Sequence, residues 1–265
     1  MGERLWTVQR VRAGPLVKEL RMIRPRASES DTAEDRKDKE FIRAHCAVLR
    51  DPSDRLELRL AMIGIDGLHY VLTFDPDHLP ERYADVLDAW QAFLRRCKRQ
   101  RITEGKPGAF PFVKRIEGLH ARYHIHFVCS PGDFSPEQVR ELWQYGFTSW
   151  DNVILDHTGF RRLARYFLKE RRDGERLPLD KQPLSWSASL KLPSVEVSKA
   201  AGGEIALPPG AVSVHQPAMY YNRFGGFSYA SWVLPDKTRA GARARGSLKR
   251  GAYRRTSPKK EGKIH

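Results

Sequence analysis

Residues 110–117 (FPFVKRIE) and 123–129 (YHIHFVC) have the composition of two neighbouring β-strands. Both are rich in aromatic and β-branched residues, which favour strands. The short connection between them contains Gly118. This spacing predicts an antiparallel hairpin. The hairpin places an antiparallel sheet in the middle of the chain, and this is the strongest constraint on the fold.

The segments around the hairpin predict further strands and helices. Residues 68–76 (LHYVLTFDP) predict a strand, and apolar residues at three- and four-residue spacing predict a helix from Tyr83 to Cys97. A helix at 135–146 would have Ser135 as its N-cap and would end before Gly146. Because helices and antiparallel strands do not alternate strictly, we expect an α+β fold, in which helices pack on one face of a central antiparallel sheet. The other face would be free to hold a ligand.

Changes in composition divide the chain into four parts. Residues 1–45 are polar and mixed in charge, and we expect an N-terminal extension in which 27–40 is a linker or a solvated helix. Residues 46–175 would form the main domain. Residues 176–236, interrupted by prolines, would form an extension packed on that domain. Residues 237–265 would form a disordered basic tail.

The second strand of the hairpin carries two histidines, one residue apart. Alternate side chains of a strand share a face, so His124 and His126 share one face and Ile125 and Phe127 the other. The apolar face belongs to a core. The histidine face is either a site for chemistry or a pair of polar residues that find partners within the sheet.

Glu117 precedes His124 by seven residues, across the predicted turn. An antiparallel hairpin would bring the two side chains together. Two imidazoles and a carboxylate form a mixed nitrogen and oxygen site that suits a divalent ion acting as a Lewis acid. The alternative is that Glu117 is a surface residue paired with Arg115 or Arg122.

A helix predicted at 158–172, with Thr158 as N-cap, carries a tyrosine beside its apolar stripe. Tyr166 has Arg162 and Lys169 about one turn away on either side. Neighbouring cations favour a phenolate and can also hold a phosphate. The alternative is a boundary tyrosine with its hydroxyl in water. The apolar stripe consists of Phe160, Leu163, Ala164, Phe167 and Leu168.

Positive charge is concentrated at the C-terminal end. The chain has a formal net charge of +15. Residues 237–265 contain eleven Lys and Arg and one Glu, a net charge of +10. Such a tail suits a nucleic-acid backbone, although a solubilising tail or one that binds acidic lipid is the alternative. Within the domain, Arg122, Arg162 and Arg165 are candidates for contact with nucleic acid.

The remaining composition predicts a cytoplasmic protein. No run of eighteen apolar residues predicts a transmembrane helix, and the N-terminal segment lacks the apolar block of a signal peptide. The three cysteines, Cys46, Cys97 and Cys129, are far apart and odd in number. They indicate a reducing compartment without a disulfide framework, and no membrane partner is expected.

The order of these motifs resembles that of the HUH endonucleases, and specifically the rolling-circle replication initiators of phages and plasmids. The resemblance covers the strand YVLTFDP (70–76), the His-hydrophobe-His strand RYHIHFV (122–128) and the Tyr-x-x-Lys helix containing ARYFLKE (164–170). Residues 184–193 (LSWSASLKLP) also resemble a segment of inovirus-type initiators. Two-tyrosine members carry a second tyrosine four residues earlier, where this chain has Arg162, so the chain resembles a one-tyrosine enzyme.

This resemblance implies a ferredoxin-like sheet and a metal-dependent nickase that cuts and joins single-stranded DNA through a 5′-phosphotyrosine. Tyr166 would be the nucleophile, Lys169 would stabilise charge, and Glu117, His124 and His126 would hold Mg²⁺ or Mn²⁺. The implied partners are single-stranded or hairpin origin DNA, a host helicase and a DNA polymerase, in the cytoplasm of a bacterial host. The alternatives are a single-tyrosine HUH transposase, a relaxase, or a non-catalytic basic nucleic-acid-binding protein.

Overall fold

The computed structural model describes residues 5–64, 66–118, 122–153, 159–168 and 184–234. They belong to a compact unit that spans residues 1–234, and the predicted tail lies outside the described residues. The strands are Trp6–Ala13 (β1), Leu16–Ile23 (β2), Leu68–Thr73 (β3), Phe112–Glu117 (β4), His124–Cys129 (β5), Thr148–Asn152 (β6), Leu184–Trp186 (β7), Ser194–Ala200 (β8), Val212–Asn222 (β9) and Gly225–Val233 (β10). The α-helices are Ala33–His45 (α1), Pro52–Ala61 (α2), Tyr83–Thr103 (α3), Pro136–Leu142 (α4) and Arg161–Leu168 (α5).

The strands from the middle of the chain form one antiparallel sheet in the order β6-β3-β5-β4-β7. The path β3-α3-β4-β5-α4-β6 places its first and third strands at the centre of that order, which is the ferredoxin-like arrangement. The expected α+β class, with helices packed on an antiparallel sheet, is therefore confirmed. The expectation of a single central sheet is incomplete, because the described residues form a second sheet as well.

Helices α3 and α4 cover one face of the β3-β6 sheet over an aromatic core. Tyr70 and Phe127 stack with ring centroids 4.8 Å apart, and Trp90 and Phe93 of α3 pack against Phe127. All four side chains are buried. The predicted three- and four-residue spacing of α3 is thus the spacing of residues that face this core.

Helix α4 is shorter than predicted. It begins after Ser135 as expected, but it ends at Leu142 rather than before Gly146. Trp143 adopts an extended backbone, and its indole N–H donates to the carbonyl oxygen of Thr73 at 2.9 Å. Gly146 has φ +150° and passes so close to the end of β3 that a Cβ atom would lie 2.4 Å from that carbonyl oxygen. Gly146 is therefore needed because two backbones approach each other closely, and it does not end the helix.

The two ends of the compact unit form the second antiparallel sheet, in the order β8-β1-β2-β10-β9. This corrects the prediction that residues 1–45 are a polar extension, because residues 6–23 form a mostly buried hairpin within the sheet. The turn contains Gly14, which has φ +54°. Polar composition did not mean exposure here, since Lys18 and Glu19 are both buried in ion pairs. Residues 33–45 form a helix, α1, as one of the two alternatives for that segment predicted.

The second face of the β3-β6 sheet is not free, which corrects the expectation of an open ligand face. Helix α5 lies over it, and Phe160, Ala164 and Phe167 are buried in a core that also contains Val113 and Val128 of that face. The helix therefore presents its remaining side chains close to the histidines. Among the described residues, no helix combines the length and apolar character needed to cross a bilayer.

Candidate active site

The β4-β5 hairpin brings three metal-ligating side chains together. Glu117 is directly opposite His124 in the register, and His126 lies two residues further along the same face. The Nε2 atoms of His124 and His126 lie 3.4 Å and 3.6 Å from Oε2 of Glu117. One donor atom from each of the three residues lies within 4.8 Å of the others. The spatial cluster predicted from the strand pattern is therefore present.

The helix α5 places a phenol over this cluster. The hydroxyl oxygen of Tyr166 lies 3.4 Å from Oε2 of Glu117 and 3.4 Å from Nε2 of His126. The side chain of Tyr166 is 39% exposed, so a large substrate can reach it from solvent. The tyrosine is thus next to the histidines and the carboxylate, and it is not separated from them by core.

The position of α5 is set by buried polar contacts at its start. Oε1 of Glu57 accepts a hydrogen bond from the backbone N–H of Phe160 at 3.0 Å, and Arg161 pairs with Asp54 at 2.7 Å. Lys18 of β2 pairs with both of these α2 carboxylates, at 2.5 Å from Glu57. This charge cluster connects the second sheet, α2 and α5. Together with the packing of Phe160, Ala164 and Phe167, it holds Tyr166 next to the hairpin.

A third histidine, His69, belongs to the site and was missed from the sequence. It lies on β3, and its Nε2 atom is 2.9 Å from Nδ1 of His126. Burial lowers the pKa of His69 to about 4, with a further contribution from neighbouring His126. A neutral His69 can accept the Nδ1 proton of His126, and Nε2 is then the nitrogen of His126 that faces Tyr166 and Glu117. Alternation along β3 puts His69 on the face away from buried Tyr70, but only the pairing of β3 with β5 shows that this is the face of His124 and His126.

The side chains of the cluster shift one another's pKa values. Burial by itself would raise the pKa of Glu117, but hydrogen bonds from His124 and His126 and the charge of Arg115 hold it well below its usual range. The hydrogen bond with Glu117 in turn raises the pKa of His124. Nε of Arg115 lies 2.8 Å from Oε1 of Glu117, so Glu117 pairs with Arg115 through one oxygen and faces the histidines with the other. An ionised carboxylate and two imidazoles fit a divalent cation.

The basic residues predicted to contact nucleic acid or to flank Tyr166 differ in their contacts and exposure. Arg122 donates to the carbonyl oxygen of Phe74, where it joins the ends of β3 and β5. Arg162 and Arg165 are exposed on α5, four residues and one residue before Tyr166. Lys169, the second cation predicted beside Tyr166, lies outside the described residues.

Comparison of the chain with protein-family models, with curated proteins and with solved structures found no match. A functional interpretation therefore depends on the geometry and chemistry of the site.

Proposed function

We propose that this chain is a metal-dependent endonuclease that nicks and joins single-stranded DNA through a 5′-phosphotyrosine, as an initiator of rolling-circle replication. One observation carries the proposal. The hydroxyl of Tyr166 lies 3.4 Å from both Nε2 of His126 and Oε2 of Glu117. A nucleophilic oxygen next to two imidazoles and a carboxylate that can hold a metal suits phosphoryl transfer to tyrosine.

The residues of the site would divide the work as follows. The Tyr166 oxygen attacks the phosphorus in line, forms a bond to it and displaces the 3′ oxygen of the preceding nucleotide. The phenol proton passes to solvent, and the displaced 3′ oxygen takes a proton from water. Glu117, His124 and His126 would hold Mg²⁺ or Mn²⁺, which when bound withdraws charge from the non-bridging phosphate oxygens. Lys169 would stabilise the phenolate or the charge of the transition state.

The covalent product explains why cutting and joining can share one site. The 5′ end stays on Tyr166 as a phosphodiester, so a later 3′-hydroxyl can reverse the reaction and join two ends. The freed 3′-hydroxyl can prime a DNA polymerase. Position 162 is an arginine, four residues before Tyr166, which fits a scheme with one tyrosine.

Charge supports a DNA substrate. The formal net charge is +15, and Arg162 and Arg165 are exposed beside Tyr166. The exposed phenol is accessible to a strand that is single or extruded from a hairpin, whereas a duplex hides the scissile phosphate. The proposed partners are accordingly single-stranded or hairpin origin DNA, a host helicase and a DNA polymerase, in the cytoplasm of a bacterial host.

The test is incubation of the full chain with pooled single-stranded oligonucleotides and Mn²⁺, followed by a denaturing gel. The proposal predicts cleaved DNA and a protein band shifted by covalently attached DNA. Excess chelator and His124→Ala should each abolish both products while DNA binding remains. Cleavage that is unaffected by chelator would contradict the metal requirement. DNA binding without any covalent adduct would favour a non-catalytic DNA-binding protein. The preferred substrate, whether an origin, a transposon end or a transfer origin, separates an initiator from a transposase or a relaxase.

A further inference from the structure

We infer that Trp186 and Arg59 form a platform on which a base of the bound single strand stacks, beside the Tyr166 site. The inference rests on the proposed function for the identity of the ligand. It assigns a role to residues 184–193, which resemble a segment of inovirus-type initiators. These residues supply no part of the cluster of Glu117, His124 and His126.

Two residues of this segment have structural roles. The backbone N–H of Phe112 donates to Oγ of Ser187 at 3.0 Å, and the backbone N–H of Ser187 donates to the carbonyl oxygen of Phe112 at 3.0 Å. Leu190 is buried in the core beneath α5. These contacts attach β7 to β4. They do not explain Trp186, which is 45% exposed although indole is among the side chains that gain most from burial.

The register places Trp186 on the same face as the candidate metal ligands. Trp186 is opposite Val113, and Val113 is opposite Val128, which follows His126 by two residues on one strand. Directly paired residues share a face of the sheet. Two strand spacings and two residues along a strand separate Trp186 from His126 by about 12 Å. A short stretch of single strand spans that distance.

A cation is stacked on the indole. The guanidinium carbon of Arg59 lies 4.7 Å from the centroid of the Trp186 ring. Arg55, one turn earlier on α2, is exposed as well. An exposed aromatic ring supported by an arginine, with a second arginine next to it, combines base stacking with attraction for phosphate. Among the described residues, β7 is the last strand in the order of its sheet, which leaves its outer edge for a strand of DNA.

Trp150 offers a matched control. It is 51% exposed and also lies on a terminal strand of this sheet, β6. However, it is opposite Tyr70, whose side chain faces the core beneath α3 and α4. Trp150 therefore lies on the face away from the histidines, and its loss should not affect DNA that is bound at Tyr166.

The experiment measures binding of a fluorescent oligothymidylate of about 20 nucleotides in excess chelator, where no cleavage interferes. Trp186→Ala should weaken binding about tenfold, Trp186→Phe should retain most of the affinity, and Trp150→Ala should match the wild type. The slope of log affinity against log salt should be the same in Trp186→Ala and the wild type, because stacking releases no counterions. Thermal unfolding of each variant monitors folding.

The outcomes separate this inference from the proposed function. Weaker binding by Trp186→Ala supports the platform even if no covalent adduct is ever found, in which case the nuclease proposal alone fails. Equal affinities of Trp186→Ala and Trp150→Ala, or no binding of single strands by the wild type, would overturn the platform. If Trp186→Ala does not fold, Arg59→Gln replaces it as the test. Weaker binding by Arg59→Gln, with the affinity of Trp186→Phe unchanged, would support the platform. Wild-type affinity of Arg59→Gln would contradict the platform.

Discussion

The Nε2 atom of His69 lies 2.9 Å from the Nδ1 atom of His126, and the other nitrogen of His126 lies 3.4 Å from the hydroxyl of Tyr166. His126 is therefore held between the half-buried His69 and the candidate nucleophile. Burial lowers the pKa of His69 to about 4, so His69 is neutral at pH 7 and can accept the Nδ1 proton. This contact orients the imidazole of His126 so that its Nε2 atom faces the position where a metal would bind.

Replacing His69 should weaken metal binding without removing a ligand. His69→Leu deletes the acceptor for the Nδ1 proton of His126, and we expect Mn²⁺ affinity to fall about 10- to 100-fold. His69→Gln retains an acceptor and should lose less. Titration calorimetry with Mn²⁺ measures this, with exposed His78→Leu as the control. Wild-type affinity in His69→Leu would show that the contact has no effect on the site.

Most of the candidate site could be predicted from local patterns. Alternation along β5 puts His124 and His126 on one face, and a short hairpin puts Glu117 opposite His124. These are constraints between near neighbours in sequence. His69 could not be assigned in this way, because its partner is 57 residues away and the pairing of β3 with β5 cannot be derived from either strand alone.

Breaking the buried charge cluster at Lys18 should destabilise the fold. Lys18→Met leaves the carboxylates of Asp54 and Glu57 buried without their shared lysine, and we expect a loss of about 3–5 kcal/mol in the free energy of unfolding. Urea unfolding measures this loss. Lys199→Met, at an exposed position on β8, should change stability by less than about 0.5 kcal/mol. A loss below about 1 kcal/mol in Lys18→Met would mean that the cluster relaxes or admits water.

The second sheet illustrates what local patterns cannot predict. Residues 6–23 contain alternating apolar residues and a Gly-Pro turn, but their charged residues also fit a solvated segment. The second partner of β1, after its hairpin neighbour β2, is β8 from the later part of the described chain, with Thr7 opposite Lys199. Only that pairing, together with the α2 carboxylates that neutralise Lys18, makes burial of such a polar hairpin favourable.

The buried Lys114 predicts a pH dependence of stability. Burial lowers the pKa of Lys114 from 10.5 to about 8, and the ammonium lies over the ring of Trp90 at 5.6 Å. Between pH 8 and 10.5 the unfolded chain binds more protons at this residue than the folded chain, so this contribution to stability rises with pH. Below pH 8 Lys114 is charged in both states, and its burial lowers the free energy of unfolding by its full amount, at most about 3 kcal/mol.

Lys114→Met should therefore stabilise the protein at pH 7, by about 1–2 kcal/mol after allowing for the lost cation–π contact. The gain over the wild type should shrink as the pH approaches 10. Urea unfolding of both proteins at pH 7 and pH 10 tests this, because other groups titrate equally in the two. A variant that is less stable than the wild type at pH 7 would contradict the burial penalty.

The exposed arginines on α5 should contribute to DNA binding through charge. Arg165→Gln removes one cation beside Tyr166, and we expect weaker binding of single strands at low salt. If the side chain neutralises one phosphate, the slope of log affinity against log salt should decrease by about 0.7. Fluorescence anisotropy across a salt series measures this, with Arg82→Gln, exposed at the start of α3, as control. An unchanged slope would place the DNA elsewhere.

The central claim is that Tyr166 becomes covalently attached to DNA. The most direct measurement is mass spectrometry of proteolytic fragments after reaction with single-stranded DNA and Mn²⁺. We predict a nucleotide phosphate on the peptide that contains Tyr166, which disappears in Tyr166→Phe and persists in Tyr221→Phe, a tyrosine that is also exposed. An adduct on another residue, or one that survives Tyr166→Phe, would contradict the account.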